Sequence, residues 1–300
     1  MARRIFLTSL GVLALVACAP TSVATAPPAA TAPAVDTAHP RAIPLEGGVN
    51  FRDLGGYATS DGRHVIWGRV FRSGSMARLT PHDIAALRRL GITSVHDYRS
   101  TSERTAEPFA WTGDEAPEVF ARDYNLDMRE FLAALGVGAG TGTGAGAGPV
   151  TPERARAVTA QMYRQLPFNM VDNYRALFAD LARTDGALVM NCSAGKDRTG
   201  LGAALFLLAL HVPRETVLAD YLLSNQYYRP TPTNNGANAM LHNIPPEVLA
   251  ALTGVDASYL NAALDAIIER YGSIDLYLEQ ALGVTPAMRA ALIAKYTQAG

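Results

Sequence analysis

Cysteine is nearly absent from this 300-residue chain, occurring only as Cys18 and Cys192. An internal disulfide framework is therefore excluded as a source of stability. Histidine is sparse too, with six residues at positions 39, 64, 82, 96, 211 and 242 and no metal-ligand spacing among them. No metal and no cofactor are expected. Net charge is almost nil, −1 from 26 basic and 27 acidic residues, which removes the bulk basicity a nucleic-acid partner would call for. The apolar run at residues 5–16 is too short to span a bilayer as a mature helix.

What is present is enough for one core: 300 residues with 49% hydrophobic content suit a single sizeable domain. The N-terminus reads as an export signal over residues 1–18, with Arg3 and Arg4 ahead of the apolar run. Leu15-Val16-Ala17-Cys18 resembles a bacterial lipobox, which would make Cys18 the lipidated first residue of a protein anchored to a bacterial membrane and facing the periplasm or exterior. Arg3-Arg4-Ile5-Phe6-Leu7 also looks like a twin-arginine signal. Residues 19–40 are rich in Ala, Thr and Pro with hardly a charge, the composition of a tether, and residues 41–300 form the domain. With Cys18 acylated, Cys192 would be an unpaired thiol in an oxidising compartment, open to sulfenic acid formation.

The most informative stretch is Asn191-Cys192-Ser193-Ala194-Gly195-Lys196-Asp197-Arg198-Thr199-Gly200, where a thiol precedes an arginine by five residues. An apolar run at 187–190 suits a buried strand before it, and the apolar run at 201–210 suits a core helix after it. A helix N-terminus offers unpaired N–H groups and partial positive charge, which together hold a phosphate and favour a thiolate nucleophile. Arg198 supplies a planar fork for phosphoryl oxygens, and Gly195 lets the backbone approach a ligand. Ser193, Ala194 and Lys196 complete the anion-binding turn. Asp197 is an acid able to protonate a leaving oxygen, and Thr199 can hydrogen-bond the departing sulfur.

Rival readings are a buried structural cysteine, a sulfurtransferase, and a catalytically silent phosphate reader. A sulfurtransferase would not need Asp197 and Thr199. A nucleotide loop is excluded, because Asp197 stands where a magnesium-binding Ser or Thr is required and Met190 stands at the first glycine.

At these residues the chain resembles the cysteine-dependent tyrosine phosphatases, in particular a bacterial branch with the loop Cys-x-x-Gly-Lys-Asp-Arg-Thr-Gly that includes secreted mycobacterial and listerial members. Asn50-Phe51-Arg52-Asp53-Leu54-Gly55-Gly56-Tyr57 is similar to that branch's N-terminal signature. Val70-Phe71-Arg72-Ser73-Gly74 and Asp97-Tyr98-Arg99-Ser100 with Glu103-Arg104 are similar to its next two. The resemblance implies Cys192 as nucleophile, Arg198 as phosphate ligand and Asp197 as general acid, acting through a phosphocysteine. It implies phosphotyrosine as the leading substrate, with phosphoserine, phosphothreonine and phosphoinositides alongside, and Lys196 points to ligands with more than one phosphate. Asn191 departs from the pattern, which has histidine there. An amide able to hydrogen-bond the loop backbone but unable to carry charge implies a lower rate or a shifted pH optimum.

The remaining pattern completes an α/β expectation: a central, mainly parallel sheet flanked by helices, with an extra helical region at the C-terminus. Residues 63–71 have strand character, Thr80 caps a helix to residue 90, and 92–98 is a second buried strand. Alternation along that strand puts Asp97 and Arg99 on one side, away from His96, making Asp97 a reserve acid or an orienter of Arg198. Residues 126–184 are helical around a glycine-rich insertion at 136–148. Helical spacing resumes at 215–228, 245–252, 257–271, 274–282 and 286–296, and some of these helices are candidates to cover the site.

Overall fold

The computed structural model describes residues 39–136, 150–228 and 245–300. Cys18, the export signal, His242, nearly all of the tether and the glycine run beyond Gly136 lie outside the described residues. Five strands form the central sheet: β1 (Arg52–Asp53), β3 (Val70–Ser73), β4 (Ile92–Asp97), β5 (Glu118–Ala121) and β6 (Ala187–Asn191). Their order is β1-β3-β6-β4-β5, with β1 antiparallel to β3 and the other pairings parallel. The expected α/β architecture is what the chain adopts.

Parallel strands are covered on both faces, so they read as unbroken apolar runs. In β6, Leu188 and Met190 enter the larger core cluster, while Ala187 and Val189 enter the smaller one. α1 (Pro81–Arg89) lies on the smaller side and starts with a capping box between Thr80 and Asp83. α2 (Thr101–Ala106) repeats the device with Ser100 and Glu103, and α3 (Arg129–Leu135) ends at Gly136 in the left-handed conformation. On the larger side lie α4 (Pro152–Asn169), α5 (Val171–Arg183) and α6 (Arg198–Ala209). α6 is buried almost all round, as its unrelieved apolar sequence requires. α7 (Arg214–Leu222) and α8 (Ser224–Tyr227) follow it. The C-terminal helices are α9 (Pro246–Thr253), α10 (Ala257–Tyr271), α11 (Ile274–Gln280) and α12 (Pro286–Tyr296).

Two expectations are corrected. The strand expected over 63–71 is divided: β2 (Arg63–Val65) joins β7 (Thr297–Ala299) in a separate antiparallel ribbon, and only the C-terminal part reaches the central sheet. The cause is Gly68, at φ +75°, whose N–H is held by Asp53 Oδ2 at 2.7 Å, so the chain turns between sheets. The single helix expected at 215–228 is broken into α7 and α8 at Leu223. Among the described residues no helix is long and apolar enough to cross a membrane.

Candidate active site

β6 ends at Asn191, and the chain turns through 192–197 before α6 begins at Arg198. Cys192 continues the inward series of Leu188 and Met190 and is only 1% exposed. Ser193 is exposed, and Ala194, Asp197 and Arg198 are half-buried around it. A thiol buried beneath a helix N-terminus, with polar groups at the rim, is reachable by a group that enters the turn itself.

Donors from distant segments set the loop's shape. Asn50 Nδ2 donates to the carbonyls of Ala194 and Gly195 at 3.1 and 3.0 Å, and Arg72 Nη2 donates to that of Gly195 at 2.9 Å. Drawing these carbonyls onto buried donors leaves the loop's N–H edge for an anion. Gly195 sits at φ +69°, and a Cβ there would stand 2.4 Å from the Ser73 carbonyl. Arg72 and Arg52 converge on Asp220, with contacts of 2.7 and 3.4 Å, and Tyr57 adds a hydrogen bond of 2.9 Å to the same carboxylate. Burial pushes the Asp220 carboxyl up, but the two guanidinium groups outweigh it and hold its pKa at about 2. Burial and the neighbouring Arg72 lower Arg52 to about 10. Two cations against one anion leave an excess positive charge beneath the loop.

Arg198 is held by Glu103, through Nη1–Oε2 and Nη2–Oε1 hydrogen bonds of 2.6 and 2.8 Å. Its Nη1 also donates to the Tyr98 carbonyl at 3.0 Å and to the Tyr124 hydroxyl at 2.6 Å. Burial would raise Glu103, but hydrogen bonding and charge from Arg198 bring its pKa down to about 2. For Arg198 the balance runs the same way: burial opposes its charge, and Glu103 and Cys192 outweigh burial and raise it further. Glu103 also accepts from Ser193 Oγ in the loop and from the Ser100 N–H that opens α2.

Other residues expected at the site are placed unevenly. Asp97 does not orient Arg198: its oxygens face Arg99, at 2.7–3.1 Å, and Asn191 Nδ2, at 3.2 Å. This buried pair leaves Asp97 no access to a substrate, and the orienting role falls to Glu103. Arg99 extends to Ser75 Oγ and the Glu107 carbonyl. Asn191 bonds this side chain and not the loop backbone, and its Oδ1 is buried without a partner. His96 turns away to Asp180 at 3.1 Å. Lys196 is 8% exposed, and its Nζ donates to the carbonyls of Leu252, Thr253 and Gly254 at 3.2, 2.7 and 3.0 Å, where α9 ends. A cation at a helix C-terminus is favourably placed, so Lys196 ties the loop to the helical region. Thr199, the second residue of α6, has its Oγ1 buried with no hydrogen-bond partner.

Asp197 takes the N-cap position of α6 without a capping hydrogen bond; its Oδ1 instead accepts from the Tyr163 hydroxyl at 2.5 Å. Tyr163, Tyr124 and Asp220 were not singled out from the sequence, and Asn50 and Arg72 entered only as members of motifs. Glu103 was legible as part of a motif and as the third residue of a Ser100 capping box, but its tie to Arg198 spans 95 positions. Among the described residues Glu46, His82 and Asp83 cluster closely enough to hold a metal, yet Asp83 is taken by the N–H groups of Glu46, Gly47 and Thr80.

The model of the tyrosine phosphatase family matches residues 43–298. The chain belongs to the tyrosine phosphatase family. A tyrosine-protein phosphatase of Cupriavidus necator is 37% identical over 243 residues, covering 79% of this chain and 83% of that protein. The triple specificity protein phosphatase PtpB of Mycobacterium tuberculosis is 31% identical over 269 residues, covering 81% of this chain and 94% of that protein. In this tyrosine phosphatase the matched span contains the whole of the loop, the buried Arg52–Asp220–Arg72 cluster and Glu103.

Proposed function

We propose that this phosphatase hydrolyses phosphomonoesters through a phosphocysteine, with phosphotyrosine as its leading substrate. The observation that carries the reading is Cys192 buried at the head of α6 with Arg198 gripped at its side by Glu103 and Asp197 at the rim. The Cys192 thiolate attacks phosphorus in line, loop amides and Arg198 meet the charge on the equatorial oxygens, and Asp197 protonates the departing oxygen. Water then attacks the phosphocysteine, and Thr199 donates to the sulfur as it leaves.

A wider range that includes phosphoserine, phosphothreonine and phosphoinositides is supported by the likeness to a relative named for triple specificity. For a second phosphate, Lys196 would have to exchange its α9 carbonyls for the ligand. We also propose export and lipid anchoring at Cys18, supported by the basic start, the apolar run and the lipobox-like Leu15–Cys18 sequence.

The test is phosphate release from phosphotyrosine peptide, phosphoserine peptide and phosphoinositide vesicles by wild type and Cys192→Ser. Wild type should turn over phosphotyrosine fastest, and Cys192→Ser should lose turnover on all three. Acid quenching should trap phosphorus on Cys192; turnover with no phosphorus ever bound to that sulfur would overturn the mechanism. Fatty-acid labelling that survives Cys18→Ser would overturn the anchor.

A further inference from the structure

Tyr163 lies on α4, 34 positions before Asp197 in sequence, and is 0% exposed. Its ring is fixed by Tyr221 in an edge contact, centroids 6.2 Å apart, and by Tyr259 at 5.7 Å. Its hydroxyl donates to Asp197 Oδ1 at 2.5 Å and accepts from the Tyr221 hydroxyl at 2.7 Å. Nothing in the cysteine, arginine and loop-amide chemistry above uses this chain of two buried phenols. We propose that Tyr163 is a positioning residue for Asp197, with Tyr221 fixing the direction in which the Tyr163 hydroxyl proton points. The inference rests on the general-acid role given to Asp197.

A phenol carries one proton. Because Tyr221 donates to the Tyr163 oxygen, the Tyr163 proton is directed at Asp197 Oδ1, and Oδ1 serves as an acceptor throughout. The proton of the neutral acid therefore sits on Oδ2. In the first step the S–P bond forms, the P–O ester bond breaks, and this proton passes to the departing oxygen. Asp197 is left as a carboxylate, and the hydrogen bond from Tyr163 strengthens as the charge appears. In the second step a water oxygen bonds phosphorus as the S–P bond breaks, Asp197 takes the water proton, and the acid is restored with the thiolate free. Burial, and then the charge of Asp197, push both phenols well above their ordinary range, so both stay protonated donors.

The test compares a good leaving group, p-nitrophenyl phosphate, with a poor one, phenyl phosphate, in wild type, Tyr163→Phe, Tyr221→Phe and Asp197→Asn. Phenylalanine keeps the ring packing, and thermal melting confirms that each variant is folded. Tyr163→Phe should lower kcat on phenyl phosphate by about 10- to 100-fold, the worth of one hydrogen bond to a charged group. Its KM should stay within about twofold and its loss on p-nitrophenyl phosphate within about threefold, since that oxygen departs without full protonation. Tyr221→Phe should show the same pattern more weakly, and the Tyr163→Phe/Asp197→Asn double variant should fall no further than Asp197→Asn alone. If Tyr163→Phe loses equally on both esters, or on neither, while Asp197→Asn remains selective for the poor leaving group, the positioning role is overturned and the acid role stands. If Asp197→Asn shows no leaving-group dependence, the acid role fails and this inference falls with it.

Discussion

Glu103 and Arg198 meet through two hydrogen bonds of 2.6 and 2.8 Å, an end-to-end pairing of carboxylate and guanidinium between α2 and α6. Because the same carboxylate closes the α2 capping box, the orientation of the arginine is tied to the start of the helix that follows β4, the strand paired with β6. Glu103→Gln keeps the shape and removes the charge. Its kcat/KM on phosphotyrosine peptide should fall by about 10-fold or more, the worth of a charged hydrogen bond. Activity equal to wild type would show that the loop orients Arg198 unaided.

The same pair makes stability depend on acid. The folded value of Glu103, about 2, lies below its ordinary value of 4.5, so its contribution is present above that ordinary value and is lost as pH falls toward 2. Urea unfolding of wild type should therefore weaken between pH 5 and pH 3, and the drop should be smaller in Glu103→Gln by on the order of 1–2 kcal/mol. Equal drops in the two proteins would contradict this assignment.

Asp220 is the sole carboxylate in contact with both Arg52 and Arg72 among the described residues. Asp220→Asn strands two buried cations, which should cost about 3–5 kcal/mol by urea unfolding. Replacing Arg72 with Met removes one of those cations together with the donor to the Gly195 carbonyl. It should weaken inhibition by inorganic phosphate, while Asp220→Asn acts on stability first.

Gly195→Ala combines a left-handed backbone, unfavourable by about 1–2 kcal/mol for any residue with a Cβ, with a 2.4 Å approach to the Ser73 carbonyl. The loop must then leave β3. A folded Gly195→Ala protein should lose phosphate affinity and at least about 10-fold in kcat/KM, measured beside its melting temperature.

Lys196→Met deletes the three carbonyl contacts at the end of α9. Residues 246–254 should become more accessible to amide hydrogen exchange, with protection on β6 unchanged. Unchanged exchange in 246–254 would show that packing of Val248 and Ala251 alone holds this helix.

The strand, turn and helix of the site were legible in ten consecutive residues and the apolar runs beside them, because cysteine, carboxylate and arginine are neighbours along the chain and a helix N-terminus needs no distant partner to attract an anion. Apolar runs likewise revealed β4, β6 and α6, and the Thr80 cap marked a helix start. The two-residue β1, the exposed β5 and the three-residue β7 carry too little periodicity to read.

What tertiary structure alone decided is which charges meet. Along the chain Asp97 was the candidate to orient Arg198, yet the fold turns Asp97 onto Arg99 and brings Glu103 across 95 positions to the arginine. Lys196 looked free for a phosphate, yet it ends on α9 carbonyls. The physical reason is that periodicity and capping act within a few residues, whereas ion pairs and buried hydrogen bonds are set by whichever elements the core packs together.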